Sequence, residues 1–195
     1  MPRTAQIERQ TAETDIRLTL NLDGTGTAAV ATGVGFFDHM LTHIAKHALF
    51  DLSVNCRGDT HIDAHHTVED VGLCFGQALV QALGDKRGIR RFGDCTVPMD
   101  ETLATAAVDL SGRPYLVWRA EVPHEVLGSF SSQLGEEFWR AVSSAGLFNL
   151  HVILHHGRNT HHILEAIFKA TARALRAATE LDLRVSGIPS TKGVL

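Results

Sequence analysis

The chain has 195 residues, the length of one or two domains at about 100–200 residues each, and its 44% hydrophobic and 21% charged residues suit a globular protein that buries a core without staples. A formal net charge of -4 gives no electrostatic footprint for nucleic acid, and no apolar run reaches the roughly 18–20 residues that span a bilayer. The start Met1-Pro2-Arg3-Thr4-Ala5-Gln6 lacks a signal peptide's apolar core, and Cys56, Cys74 and Cys95 are widely spaced, so reduced thiols in a cytoplasmic protein are expected, not a disulfide framework or a thiolate zinc site.

In chain order, Thr11–Leu22 alternates as a strand with Ile16, Leu18, Leu20 and Leu22 on one face. Asp23-Gly24-Thr25-Gly26 signals a turn, after which Thr27–Thr32 is the expected hairpin partner. Phe36–Leu49 has apolar residues at helical spacing, Phe50–Cys56 reads as a short strand, and Thr67–Leu83 as a second helix stopped by Gly84. The order then repeats. Glu101–Leu110 and Tyr115–Val122 are strands around the turn Ser111-Gly112-Arg113-Pro114, followed by a helix over Glu136–Ala145, a strand over Leu147–Leu154 and a long helix over His162–Thr179.

The repeat is also visible residue by residue. Leu49-Phe50-Asp51-Leu52 matches Leu147-Phe148-Asn149-Leu150, and His65-His66-Thr67-Val68-Glu69 matches His161-His162-Ile163-Leu164-Glu165. Two similar halves follow, 1–90 and 91–195, together one compact unit. The expected fold is α+β: two strands-helix-strand-helix half-units from an internal duplication, with helices packed between two sheets.

Histidine is abundant, at 12 residues, and imidazole is the commonest metal ligand. In each His-His-x-x-Glu element the first His and the Glu are four apart and share a helix face. The second His lies about 100° further round and faces elsewhere. Two quasi-equivalent metal sites are therefore expected, each joining one His–Glu pair (His65 with Glu69, His161 with Glu165) to a lone His from an equivalent unit. Imidazole and carboxylate donors without thiolate suit Mn, Fe, Ni or Zn. The plainer reading is a polar helix start, which the second copy in register disfavours. The repeat sets His39 opposite Glu137, a second pair of ligand candidates. His43 and His47 continue the face of His39 and are read as a solvated stripe; His61, His124, His151 and the His155-His156 pair are read as structural or surface residues. Arg91, Arg113, Lys169, Ser190 and Lys192 are candidates to hold an anion. A P-loop and a G-x-S-x-G element are both absent from the sequence. A hydrolase using metal-bound hydroxide and a metal-storage shell stay as alternatives.

Taken together, Asn21-Leu22-Asp23-Gly24, Gly35-Phe36-Phe37-Asp38-His39-Met40-Leu41, Gly58-Asp59-Thr60-His61-Ile62-Asp63, the two His-His-x-x-Glu elements, Asp109-Leu110-Ser111-Gly112-Arg113-Pro114 and Ile188-Pro189-Ser190-Thr191-Lys192-Gly193 resemble the imidazoleglycerol-phosphate dehydratase family over nearly the whole chain. The resemblance implies a lyase of histidine biosynthesis that dehydrates D-erythro-imidazole-glycerol phosphate to imidazole-acetol phosphate. It implies two Mn2+ per active site and sites shared among subunits of a 24-subunit homo-oligomer. One ion takes His39, His66, His161 and Glu165; the other takes His65, Glu69, Glu137 and His162, although many family members carry His where this chain has Glu137. Two cations on the substrate ring favour a di-manganese-bound imidazolate, which expels the neighbouring hydroxyl to give a diazafulvene-like intermediate. The resemblance assigns Glu13 as the base that then takes the carbon-bound proton. Glu69 or Glu165 relays protons to the departing hydroxide. Arg91, Arg113, Ser190, Lys192 and Lys169 hold the phosphate, with Glu13, His39, His65 and His161 also on the substrate.

Overall fold

The computed structural model describes residues 2–195. Its first half holds β1 (Thr4–Gln10), β2 (Thr14–Asn21), β3 (Ala28–Ala31), helix α1 (Gly35–Ala48), β4 (Asp51–Gly58) and helix α2 (His65–Leu83). The second holds β5 (Phe92–Met99), β6 (Thr102–Asp109), β7 (Tyr115–Arg119), the short pair β8 (Val126–Leu127) and β9 (Phe130–Ser131), helix α3 (Leu134–Gly146), β10 (Asn149–His156) and helix α4 (Thr160–Thr179). The sheets have matching orders, β1-β2-β4-β3 and β5-β6-β10-β7. The two halves are thus the same strand-helix-strand-helix unit, with helices packed between two sheets.

Details of the duplication extend to the backbone. Each half's first helix ends on a left-handed leucine, Leu49 (φ 56°) and Leu147 (φ 52°), followed by a fully buried phenylalanine, Phe50 and Phe148. A leucine tolerates this conformation at a cost of about 1–2 kcal/mol, here to drop the phenylalanine under the sheet.

One sequence expectation is corrected. Thr27–Thr32 is not a hairpin partner of β2, because β3 runs parallel to β4 on its far side. The Asp51 carboxylate accepts the N–H groups of Thr25 (2.9 Å) and Thr27 (3.0 Å) and draws the turn toward β4. Likewise β7 is parallel to β10 and does not pair with β6. The hairpin partners of β2 and β6 are instead β1 and β5, with β4 and β10 antiparallel on their other sides. These edge strands escape periodicity analysis because they lack an apolar face: Ala5 is the one buried residue of β1 and Gly93 that of β5.

Helices α1 and α2 lie on the first sheet, α3 and α4 on the second, and the layers meet through α2 on α3 and α1 on α4. The α2–α3 approach depends on glycine. A Cβ on Gly76 would stand 2.6 Å from both the Gly146 nitrogen and the Val142 carbonyl oxygen, and backbone cannot move aside as a side-chain end can. Gly76→Ala is therefore expected to destabilise by about 1–3 kcal/mol, seen as a lower urea midpoint. Gly187→Ala, where an added Cβ meets nothing within 4 Å, should change stability by less than about 0.5 kcal/mol.

Candidate functional site

Packing α1 against α4 brings one group of polar side chains together. Asp38 in the first turn of α1 accepts from the Thr32 N–H (2.9 Å) and hydroxyl (2.5 Å), which fixes the helix start just before His39. From α4, the Glu165 carboxylate meets His161 Nε2 (2.9 Å), His39 Nε2 (3.2 Å), His43 Nε2 (3.2 Å) and Lys169 Nζ (2.5 Å). The Glu165 side chain is 7% exposed. Burial alone would raise its pKa, but the Lys169 ammonium and His161 outweigh this and bring it down to about 2, so it is an anion at neutral pH. Burial is also the main reason that His43 falls to about 4, only partly opposed by Glu165; its imidazole is neutral and able to act as a donor. His43 was expected on a solvated stripe. The structure puts it in the cluster because α4 covers that face of α1.

Packing α3 against α2 builds the counterpart from the other two helices. His65 Nε2 lies 3.8 Å from Glu69, and His65 and Glu137 both line a cavity of about 510 Å³ with Trp118, Glu121 and His124. Glu137 also pairs with Arg140 (3.7 Å). The arrangement is reciprocal: the first helix of one half supplies His39 or Glu137, and the second helix of the other half supplies the His–Glu pair.

The second histidine of each motif turns away, as the 100° step requires. His66 Nδ1 contacts Asp59 (2.9 Å) and its Nε2 faces Glu13 at 3.6 Å. His162 Nδ1 contacts Glu101 (2.7 Å) and its Nε2 faces Asp100 at 3.9 Å. These carboxylates hold both histidines above the ordinary pKa, chiefly through the Nδ1 hydrogen bonds. Glu13, with a 53% exposed side chain, sits at the turn between β1 and β2.

A third group surrounds the C-terminal segment. Arg91 donates from Nε and Nη2 to Asp109 (2.7 and 3.2 Å) and from Nη1 to the Pro189 carbonyl (3.0 Å). Gly112 has φ 78°, and a Cβ there would lie 2.8 Å from the Leu195 carbonyl carbon. The close approach seats the chain end against the turn that carries Arg113, whose Nη1 donates to the Ser111 carbonyl (3.4 Å). The Lys192 N–H donates to Ser190 Oγ (3.2 Å). The fold thus places Arg91 beside the segment of Ser190 and Lys192, and the turn of Arg113 against its end. Lys169 belongs instead to the Glu165 cluster.

Among the described residues, ligand atoms of His39, His43 and Glu165 form the one His/Cys/Asp/Glu group of three lying within 4.8 Å of one another. Nitrogen and carboxylate donors at this spacing fit a divalent transition metal, and the Lys169 ammonium supplies positive charge to the same carboxylate. Four residues had been given no role from the sequence: Asp59 and Glu101, which hold histidines, Asp109, which holds Arg91, and Asp38, which holds the start of α1. Asp38, Asp59 and Asp109 lie within the motifs that carry the family resemblance; Glu101 had no such signal.

A duplicated α+β scaffold that joins the histidines and carboxylates of one half to those of the other defines a metal-dependent enzyme. The comparisons sharpen the class. A family model described as imidazoleglycerol-phosphate dehydratase matches residues 32–175. The imidazoleglycerol-phosphate dehydratase of Jannaschia sp. is 59% identical over 194 residues, 99% of this chain and 100% of the relative. The crystal structure of the Staphylococcus aureus enzyme is similar with a TM-score of 0.84 and 40% identity, over 92% of this chain and 99% of that one. The Pyrococcus furiosus structure also has a TM-score of 0.84, at 33% identity over 97% and 100% of the two chains. The chain belongs to the imidazoleglycerol-phosphate dehydratase family, the metal-dependent hydro-lyases that carry out this dehydration in histidine biosynthesis. Among the described residues, no helix is long and apolar enough to cross a membrane.

Because His43 touches both His39 (3.1 Å) and Glu165, His43→Ala is expected to lower metal affinity or kcat/KM by about 10–100-fold, the usual effect of removing a ligand's hydrogen-bond partner. Mn2+ titration and steady-state kinetics read the two quantities. An unchanged variant would make the His43 contacts with His39 and Glu165 packing only.

Proposed function

We propose that the chain converts D-erythro-imidazole-glycerol phosphate to imidazole-acetol phosphate with two Mn2+ per active site, one held by His39, His66, His161 and Glu165 and the other by His65, Glu69, Glu137 and His162. The observation that carries this reading is the reciprocal helix pairing. In each proposed set, three members lie on one pair of packed helices within the chain, while the fourth, His66 or His162, is turned to carboxylates elsewhere. A complete set then needs a histidine from another copy, which supports a homo-oligomer with shared sites and, with the family resemblance, 24 subunits. The seam of the duplication lies between residues 90 and 91, and the halves act as one catalytic unit. The free cysteines suit the reducing cytoplasm.

When bound, the metal ions supply positive charge that acidifies the substrate's imidazole ring and makes it an electron sink. The hydroxyl leaves from the carbon that carries the ring. Glu13 takes the proton from the adjacent carbon, and the resulting enol tautomerises to the ketone; one water is lost. Glu13 is suited to this role because no side-chain hydrogen bond occupies its half-exposed carboxylate among the described residues. Glu69, also half-exposed, is the better placed of the two proton relays to the departing hydroxide, since Glu165 is buried and already engaged by three histidines and Lys169. His39, His65 and His161 line the substrate's ring end. Arg91, Arg113, Ser190 and Lys192, joined by Lys169, hold the phosphate, so that binding energy remote from the reacting carbons orients them.

The deciding assay supplies imidazoleglycerol phosphate to Mn2+-loaded, assembled protein and follows an enolisable ketone. Product that retains its phosphate is expected; release of inorganic phosphate would instead support a hydrolase, and no turnover would end the dehydratase reading for this chain. Glu13→Gln should keep Mn2+ and assembly yet lose at least about 100-fold in kcat, the scale of a general base. Loss of metal in that variant would make Glu13 a ligand. Asp109→Asn should loosen Arg91 and raise KM more than it lowers kcat, as expected for a binding contact. An equal fall in kcat would place Arg91 at the reacting centre.

A further inference from the structure

The duplication gives both halves a carboxylate at the same turn. Strand β1 passes to β2 through Thr11-Ala12-Glu13-Thr14, and β5 passes to β6 through Met99-Asp100-Glu101-Thr102. Thr14 and Thr102 open the equivalent strands β2 and β6, so Glu13 and Glu101 are counterparts. Each faces the second histidine of its own half's motif, but differently. Glu101 is fully engaged: Oε2 contacts His162 Nδ1 (2.7 Å), while Oε1 accepts the N–H groups of Asn159 (2.8 Å) and Arg158 (3.1 Å). Asn159 in turn caps α4 by accepting the His162 N–H (3.2 Å). Glu13 stands 3.6 Å from His66 Nε2 and leaves Nδ1 alone.

In the first half that nitrogen is taken by a residue with no duplicated counterpart. Asp59 follows β4, its side chain is 13% exposed, and Oδ2 lies 2.9 Å from His66 Nδ1. Its other oxygen, Oδ1, is buried and unpartnered, so orienting His66 is the one hydrogen-bonding task of this side chain among the described residues. A carboxylate accepting from Nδ1–H sets the tautomer and turns the Nε2 lone pair outward, as outer carboxylates do for metal-bound histidines.

We propose that Asp59 and Glu101 are positioning residues that fix the tautomer and direction of His66 and His162, so that each presents Nε2 to a metal ion. This inference rests on the ligand sets proposed above. It also accounts for the different fates of the duplicated glutamates. With Asp59 on His66, Glu13 is free for chemistry; with no such aspartate in the second half, Glu101 is held in the supporting task.

The test is Mn2+ affinity, read by electron paramagnetic resonance titration of the full-length, metal-stripped protein, with light scattering to follow assembly. Asp59→Ala and Glu101→Ala are each expected to weaken one class of sites by about 10–100-fold. Asp59→Asn should recover most of the affinity, because an amide oxygen can still accept from Nδ1–H, whereas the similarly sized Asp59→Leu should not; a simple packing defect would be repaired about equally by both. His66→Ala and His162→Ala are the controls. Full Mn2+ affinity in both carboxylate variants, beside loss in the histidine variants, overturns the positioning role alone. Full affinity in all four overturns the ligand sets with it. The two alanine variants lie in different halves, so failure of one to fold leaves the other to decide.

Discussion

A helix that is apolar almost all round must be covered on two sides, and α2 and α4 are both of this kind. On α4, Ile163, Leu164, Ala166, Ile167, Phe168, Ala170, Ala172, Ala174, Leu175 and Ala178 are all at or near zero exposure. A single half-unit offers such a helix one sheet and leaves its other side to water. The second half supplies the missing cover, and it does so crosswise: α4 takes α1, and α2 takes α3 through the Gly76–Gly146 approach. The hydrophobic requirement therefore dictates the chemistry. The polar first turns of α2 and α4 are carried to the N-terminal parts of α3 and α1, where Glu137 and His39 stand.

This explains which features were legible in the sequence. The His-His-x-x-Glu elements could be read because helix geometry alone separates His65 from His66 and His161 from His162. The structure keeps that separation, with the first histidine on the glutamate and the second on another carboxylate. The long helices and Gly84 as a stop were legible from local signals. The strands β1 and β5 were not, because exposed edge strands have neither a buried face nor a distinctive composition. Nor could the chain order reveal that β3 and β7 sit on far edges, since parallel pairing is decided by where the intervening helix packs.

His43 shows a different limit. Its spacing from His39 was plain, but a histidine four residues from another is equally compatible with a wet face and a buried cluster. Only the arrival of α4 decides between them, and that contact spans more than a hundred residues of sequence. The roles of Asp59, Glu101 and Asp109 escaped for the same reason. Each acts by holding another residue, and such a task cannot be read until the partner's position is known.

The two ligand sets proposed above are not identical. The proposed set centred on α1 and α4 contains one carboxylate, Glu165, with His39, His161 and another copy's His66. The set on α2 and α3 contains two, Glu69 and Glu137, because the position opposite His39 carries a glutamate. With a divalent ion in each, the first retains a net positive charge and the second is neutral. On those proposed sets the first would pull electrons from a bound ring more strongly, and the second would hold its ion by simple charge balance. Lys169, four residues beyond Glu165 and bonded to it, deepens the difference by adding a cation to the side that is already positive. With the ligand sets proposed above, one centre would be weighted toward activation and the other toward retention.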